Sequence, residues 1–174
     1  MKFTEYSKII PDAFHGTRLV DAESILEQGE FAFEKNPDHY LGDGVYFVEG
    51  AEQFALDYAE RKFPGVPVAV IRAVVTLDRC LDLHIPEHVA AVKKAQVLLA
   101  QRTRGNVSDA AAINSAAAII RAHVVRSPFV RKGRKGPSKI FPGSRIYKDS
   151  FIYLCVRDQE AILTLMLSCK VDGD

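Results

Sequence analysis

The chain has 174 residues, of which 48% are hydrophobic and 26% charged, and its formal net charge is +1. These values fit an ordinary globular protein with one substantial core, bulk charge alone names no partner, and no apolar stretch reaches the length of a membrane span. Cys80, Cys155 and Cys169 are odd in number, widely spaced and free of any CxxC pair. That excludes a disulfide framework and a cysteine zinc site, so reduced thiols in a soluble, cytoplasmic protein are expected.

Residues 1–13 read as a short lead-in, and Met1 to Asp12 is too mixed and charged for the core of a signal peptide. Phe14-His15-Gly16-Thr17 follows. A helix is predicted from Asp21, as N-cap, to Gln28, with Ile25 and Leu26 on its apolar face and Gly29 at its stop. Residues 35–44 are rich in Asn, Pro, Asp and Gly and read as a loop. Val45–Val48 is a short strand, and Glu49–Phe63 a helix ended by Pro64-Gly65. Val66–Leu77 is the strongest strand signal, β-branched and nearly continuous, so both its faces are expected to be covered.

Two helices, Pro86–Arg104 and Ser108–His123, are predicted on either side of Gly105-Asn106. Ser108-Asp109 caps the second, whose alanines favour close packing. Residues 126–148 read as a long basic loop, and 150–157 and 161–169 as closing strands. Helices and strands mix without βαβ alternation. The expectation is one α+β domain over 1–174, with a mostly antiparallel sheet, a helical insertion at about 86–123 and a basic loop at about 126–148.

Taken singly, His15-Gly16 marks a turn and Gly44-Val45-Tyr46-Phe47 a strand entry. Taken in order, Phe14-His15-Gly16-Thr17, an Ile25-Leu26-x-x-Gly29 helix, Gly42-Asp43-Gly44-Val45-Tyr46-Phe47 and a helix ending Asp57-Tyr58-Ala59 resemble the catalytic domain of the poly(ADP-ribose) polymerase-like ADP-ribosyltransferases. The resemblance covers residues 14–59 closely and 144–163 more weakly, and leaves the middle of the chain unmatched. It implies the split, mostly antiparallel sheet of that family and NAD+ as co-substrate, with no metal.

Cleaving the nicotinamide–ribose bond passes through an oxocarbenium-like sugar, so nicotinamide and ribose must both be held. The resemblance assigns His15 to a ribose hydroxyl, the Gly16 backbone to the carboxamide, and Tyr46 and Tyr58 to the two faces of the ring. Thr17 and Arg18 extend the NAD+ site, Arg18 towards the pyrophosphate. The family's late-strand Glu falls on Tyr153 in a His-Tyr-x variant, with Asp149 and Glu160 as carboxylate alternatives. A phenol is a poor base near neutral pH, so single ADP-ribose transfer is expected rather than polymer formation. A small hydroxyl residue expected before Tyr58 is replaced by Phe54 and Ala55.

Charge is segregated. Nine basic residues and no acidic one lie between Arg121 and Lys148, and the rest of the chain is about −8. Phe129, Phe141 and Tyr147 are interleaved with them. Arg131, Lys132, Arg134 and Lys135 are the candidate acceptor-binding residues, and RNA or DNA is the favoured acceptor. The type is that of a bacterial toxin or defence effector, which would need an inhibitory antitoxin. Alternatives are transfer to a protein side chain, an inactive NAD+- or ADP-ribose-binding module, and an RNA 2′-phosphotransferase-like enzyme.

Overall fold

The computed structural model describes residues 8–32, 39–130, 138–148 and 150–173, with the backbone alone of 132–133 and 136–137. Seven strands form one sheet: β1 (Ile9–Arg18), β2 (Val45–Glu49), β3 (Val68–Thr76), β4 (Cys80–Asp82), β5 (Val124–Val130), β8 (Ser150–Val156) and β9 (Ile162–Val171). A two-stranded ribbon of β6 (Lys132–Gly133) and β7 (Gly136–Pro137) stands apart. The helices are α1 (Leu19–Gln28), α2 (Glu52–Lys62), α3 (Pro86–Thr103) and α4 (Asp109–Ile120). The sheet order is β4-β5-β8-β2-β1-β3-β9, antiparallel throughout except for β4 with β5. The mixed α/β class with a mostly antiparallel sheet is therefore as expected. No helix among the described residues is long and apolar enough to cross a membrane.

Val68–Thr76 is paired on both edges, by β1 and β9, and its first four residues are fully buried, as its β-branched run required. Ala22, with Ile25 and Leu26, packs α1 against one face of the sheet beside Phe47, Ala69 and Ile71. On the other face, Ala55 of α2 packs on Phe14, Val48 and Val70. The α3–α4 pair lies where the two helices on either side of Gly105-Asn106 were expected. Ser108 caps α4 by accepting from the Ala111 N–H at 3.2 Å, and Ile113, Ala116 and Ala117 pack on Leu81, Val125 and Cys155. Cys80 and Cys155 are buried, and burial pushes both thiols up to about 12.

Three expectations are corrected. The end of the lead-in is a strand, since β1 begins at Ile9; a register shift between Ile10 and Ala13 hides it from period-two reading. Asp21 lies in the first turn of α1, not at its cap, because Arg18 is the extended residue preceding the helix. The basic loop begins later than 126. Val124–Val130 pairs with β8 along its whole length, whereas β4 covers only its first three residues. Pro128 thus falls where the second edge of β5 carries no strand among the described residues, the position a sheet tolerates for proline.

Arg126, counted by sequence among the loop cations, is buried. Its Nε donates to Glu49 at 2.9 Å and its Nη1 to Asp82 at 3.0 Å, so one guanidinium ties β5 to the end of β2 and to β4. At the opposite end of the sheet, β9 pairs with β3 alone among the described residues and exposes Leu163, Met166, Leu167 and Val171.

Arg126→Met should cost about 3 kcal/mol in urea unfolding, because it leaves two carboxylates part-buried without their cation. Burial alone would raise the Asp82 carboxyl, but hydrogen bonds from His84 and Arg126 outweigh it and hold it below its ordinary value. A depressed carboxylate stabilises above its unfolded pKa of about 4 and loses that contribution as pH falls through the folded value. The variant should therefore lose less stability than the parent between pH 5 and pH 3, measured by urea midpoints; equal losses would remove Arg126 from the account.

Candidate functional site

β1 and β2 pair only at Ala13–Glu49 and Phe14–Val48. From His15 onward β1 continues along β3 alone, so its side facing β2 is open. A cleft of about 1010 Å³ occupies this opening, flanked by α1 on one face of the sheet and α2 on the other. Its lining includes His15, Gly16, Thr17, Tyr46, Tyr58 and Tyr153, so six of the residues singled out by sequence come together.

His15 bridges the opening. Its Nδ1 lies 2.7 Å from the Tyr46 carbonyl oxygen, which can only accept, so Nδ1 carries the proton. Burial pulls the imidazole below its ordinary pKa, more than the Tyr46 bond raises it, and nearby Lys62 lowers it further. The ring is then neutral at pH 7, and Nε2 is a lone-pair acceptor with no partner among the described residues. Phe31 and Phe47 fix the ring plane, with centroids at 5.2 and 5.6 Å.

Gly16 is required by packing as well as by the site. A Cβ there would stand 2.0 Å from the Ala55 carbonyl oxygen, so only glycine lets α2 lie on β1. That contact sets Phe54, Tyr58, Arg61 and Lys62 along the cleft. Tyr46 spends its hydroxyl on the loop before β2, accepting from the Leu41 N–H at 2.8 Å and donating to the Gly42 carbonyl at 3.0 Å. Its ring is what remains for a ligand. Gly42 itself has a φ of 88°, and a Cβ there would meet the Asn114 side chain at 2.3 Å, so the loop is pinned against α4.

Tyr153 stands on β8 opposite Val48, among the rings of Tyr40, Phe129 and Phe54 at 5.9, 5.6 and 6.1 Å. Tyr40 stacks on Phe129 at 4.8 Å; burial first, and then the hydrogen-bonded Tyr153, push its phenol well above the usual range. The late-strand position is thus an aromatic cage. Among the described residues, the carboxylates that line the cleft are Asp21 and Glu30, both from the α1 side.

Other expectations fall elsewhere. Arg18 is not in the lining: its guanidinium makes two bonds to Asp21, at 2.7 and 2.9 Å. Arg61 and Lys62 supply cations instead, and their spacing three and four residues after Tyr58 already placed them on its helical face. Sequence reasoning also missed Phe31, His39 and Tyr40, which flank a segment that offered no periodicity, and Phe129, which it assigned to a loop. Glu160 lies with His123 and Asp158, away from the cleft lining. Their ligand atoms fall within 4.8 Å of one another, and the Arg79 guanidinium sits 3.4 Å from His123 Nε2. Asp149, Arg131, Arg134 and Lys135 lie outside the described residues, and of Lys132 only the backbone is described.

No protein-family model, curated protein or solved structure matches the chain.

Two measurements check this geometry. The His15 imidazole should titrate below 6.5 by NMR. Since the unfolded chain then binds the proton first, stability should rise with pH through the window just below 6.5. Gly16→Ala should lower stability by about 1–3 kcal/mol, because α2 must move off β1. A variant as stable as the parent would show that the Gly16–Ala55 contact is not constraining.

Proposed function

We propose that the chain is an NAD+-dependent ADP-ribosyltransferase that transfers one ADP-ribose to a macromolecular acceptor. The observation that carries this reading is the placement of His15 at the mouth of the split. Its Nδ1–H is engaged by Tyr46, and its Nε2 is left to accept, beside the open edge of β1 at Gly16. An acceptor nitrogen suits a ribose hydroxyl, and a bare strand edge suits a carboxamide, which needs one donor and one acceptor. Tyr58 offers an aromatic face from α2 and Tyr46 one from β2, and Arg61 and Lys62 suit a pyrophosphate. The cleft volume is at the upper end of the usual range for small-ligand pockets, as a dinucleotide requires.

In the reaction the bond from ribose C1 to the nicotinamide nitrogen breaks, and its electron pair leaves with nicotinamide. A bond forms from C1 to an acceptor heteroatom, whose proton passes to solvent. The protein's part is orientation: His15 fixes the ribose, Gly16 the leaving group, and the aromatic walls exclude water. Tyr153, caged by Tyr40, Phe54 and Phe129, is not placed as a base, which favours single transfer over chain elongation.

The same cage favours a second reading, a module that binds NAD+ without turning it over. Incubation with NAD+ labelled in the adenylate half, followed by separation of RNA, DNA and protein, decides between them. The transferase reading expects nicotinamide release and label on one pool, with His15→Ala slowing release by about 100-fold and Tyr58→Ala weakening NAD+ binding by about tenfold. Calorimetric binding without release would establish the module; no binding at all would sink both.

A further inference from the structure

The ladder between β5 and β8 ends at Val130 and Ser150, one residue beyond Phe129, which lines the cleft. The chain between those ends returns through a turn at 138–148 that has its own hydrogen bonds. Ile140 N–H donates to Ile146 at 3.2 Å, Lys148 N–H to Ser138 at 2.8 Å and Ser144 N–H to Phe141 at 3.1 Å. Ser144 is buried beneath it and accepts from the Ile146 N–H at 3.0 Å. The turn is therefore shaped, yet it projects what a soluble turn ordinarily hides: Phe141 is 59% exposed and Tyr147 40%. Lys139, Arg145 and Lys148 are exposed beside them, and no acidic residue occurs between Arg121 and Lys148.

A turn with three exposed cations and no acidic residue from 138 to 148 selects a polyanion. Exposed rings select a polyanion with accessible π faces, and a duplex hides its base faces in the stack. An anionic bilayer would also meet charge and apolar side chains, but the turn springs from the rim of a cleft, which a strand can enter and a bilayer plane cannot. We propose that residues 138–148 dock a single-stranded nucleic acid, its phosphates on Lys139, Arg145 and Lys148 and its unpaired bases on Phe141 and Tyr147. Docked there, the strand runs to Phe129 and the cleft. This assignment rests on the transferase reading only in making the strand the acceptor.

The test is binding without NAD+, so that it reads separately from turnover. Fluorescent 20-nucleotide single strands of RNA and of DNA, the matching duplex, and phosphatidylserine–phosphatidylcholine vesicles are titrated with the full chain. Single strands should bind at least tenfold more tightly than the duplex. Their affinity should fall roughly tenfold or more between 50 and 200 mM salt, as about three phosphate contacts require. Phe141→Ala with Tyr147→Ala should weaken binding by about tenfold or more while leaving the melting temperature in place, and Lys139→Ala with Lys148→Ala should flatten the salt dependence. Lys93→Glu with Lys94→Glu, on the exposed side of α3, should change neither. The RNA and DNA arms tell which sugar is preferred. Equal binding of duplex, retention by vesicles but not by oligonucleotides, or full binding by the Phe141/Tyr147 variant would each overturn the assignment. Oligonucleotide binding by a chain that ignores NAD+ would uphold the docking turn while removing the transferase.

Discussion

One wall of the cleft depends on how closely α2 lies on β1. The Ala55 carbonyl occupies the place of the side chain that Gly16 lacks. That one absence positions the helix, and the helix then delivers Phe54, Tyr58, Arg61 and Lys62 to one side of the opening. The other side is set by a different device. Tyr46 is held by its hydroxyl to Leu41 and Gly42, and by its carbonyl to His15. The two walls are fixed independently, one by packing and one by hydrogen bonds, and the sheet parts between them.

Electrostatics divides the sheet into two working ends. Near the closed end of the split, Arg126 neutralises Glu49 and Asp82 at the heart of the β4–β5–β8–β2 half. At the open end the polar groups have no such partners among the described residues: a neutral imidazole, a bare strand edge and the cations of α2. Burial acts in both places with opposite consequences. Around Arg126 it is offset by two carboxylates, so charge is retained; around His15 the Tyr46 carbonyl and Asp21 do not outweigh it, so the imidazole is held below its ordinary value.

Much of the fold was legible because its pattern is local. β3 announces itself by a β-branched run, α4 by Ser108 and its alanines, and α1 by Gly29 at its end. What escaped was set by partners distant in sequence. β5 carries an arginine and a proline, both poor strand signals. The arginine is accommodated by Glu49, 77 residues away, and the proline by the loss of a neighbouring strand after Arg126. β1 was hidden by Pro11-Asp12 at its register shift. In the site, the order of motifs pointed to His15, Gly16 and Tyr46, but no spacing in the sequence places Phe31 or Tyr40 beside them. Arg18 falls outside the cleft lining, its guanidinium paired with Asp21 three residues on.

The long free edge of β9 bears on how the molecule behaves in bulk. Four large apolar side chains stand along a strand whose outer hydrogen-bonding groups have no described strand to meet, and edges of that kind template association. Mutual repulsion between molecules would ordinarily keep such edges apart. With a net charge of +1 and an isoelectric point near 7.7, this chain has little repulsion at neutral pH. Its colloidal stability is therefore poorest close to physiological pH and improves as either acid or base charges the surface.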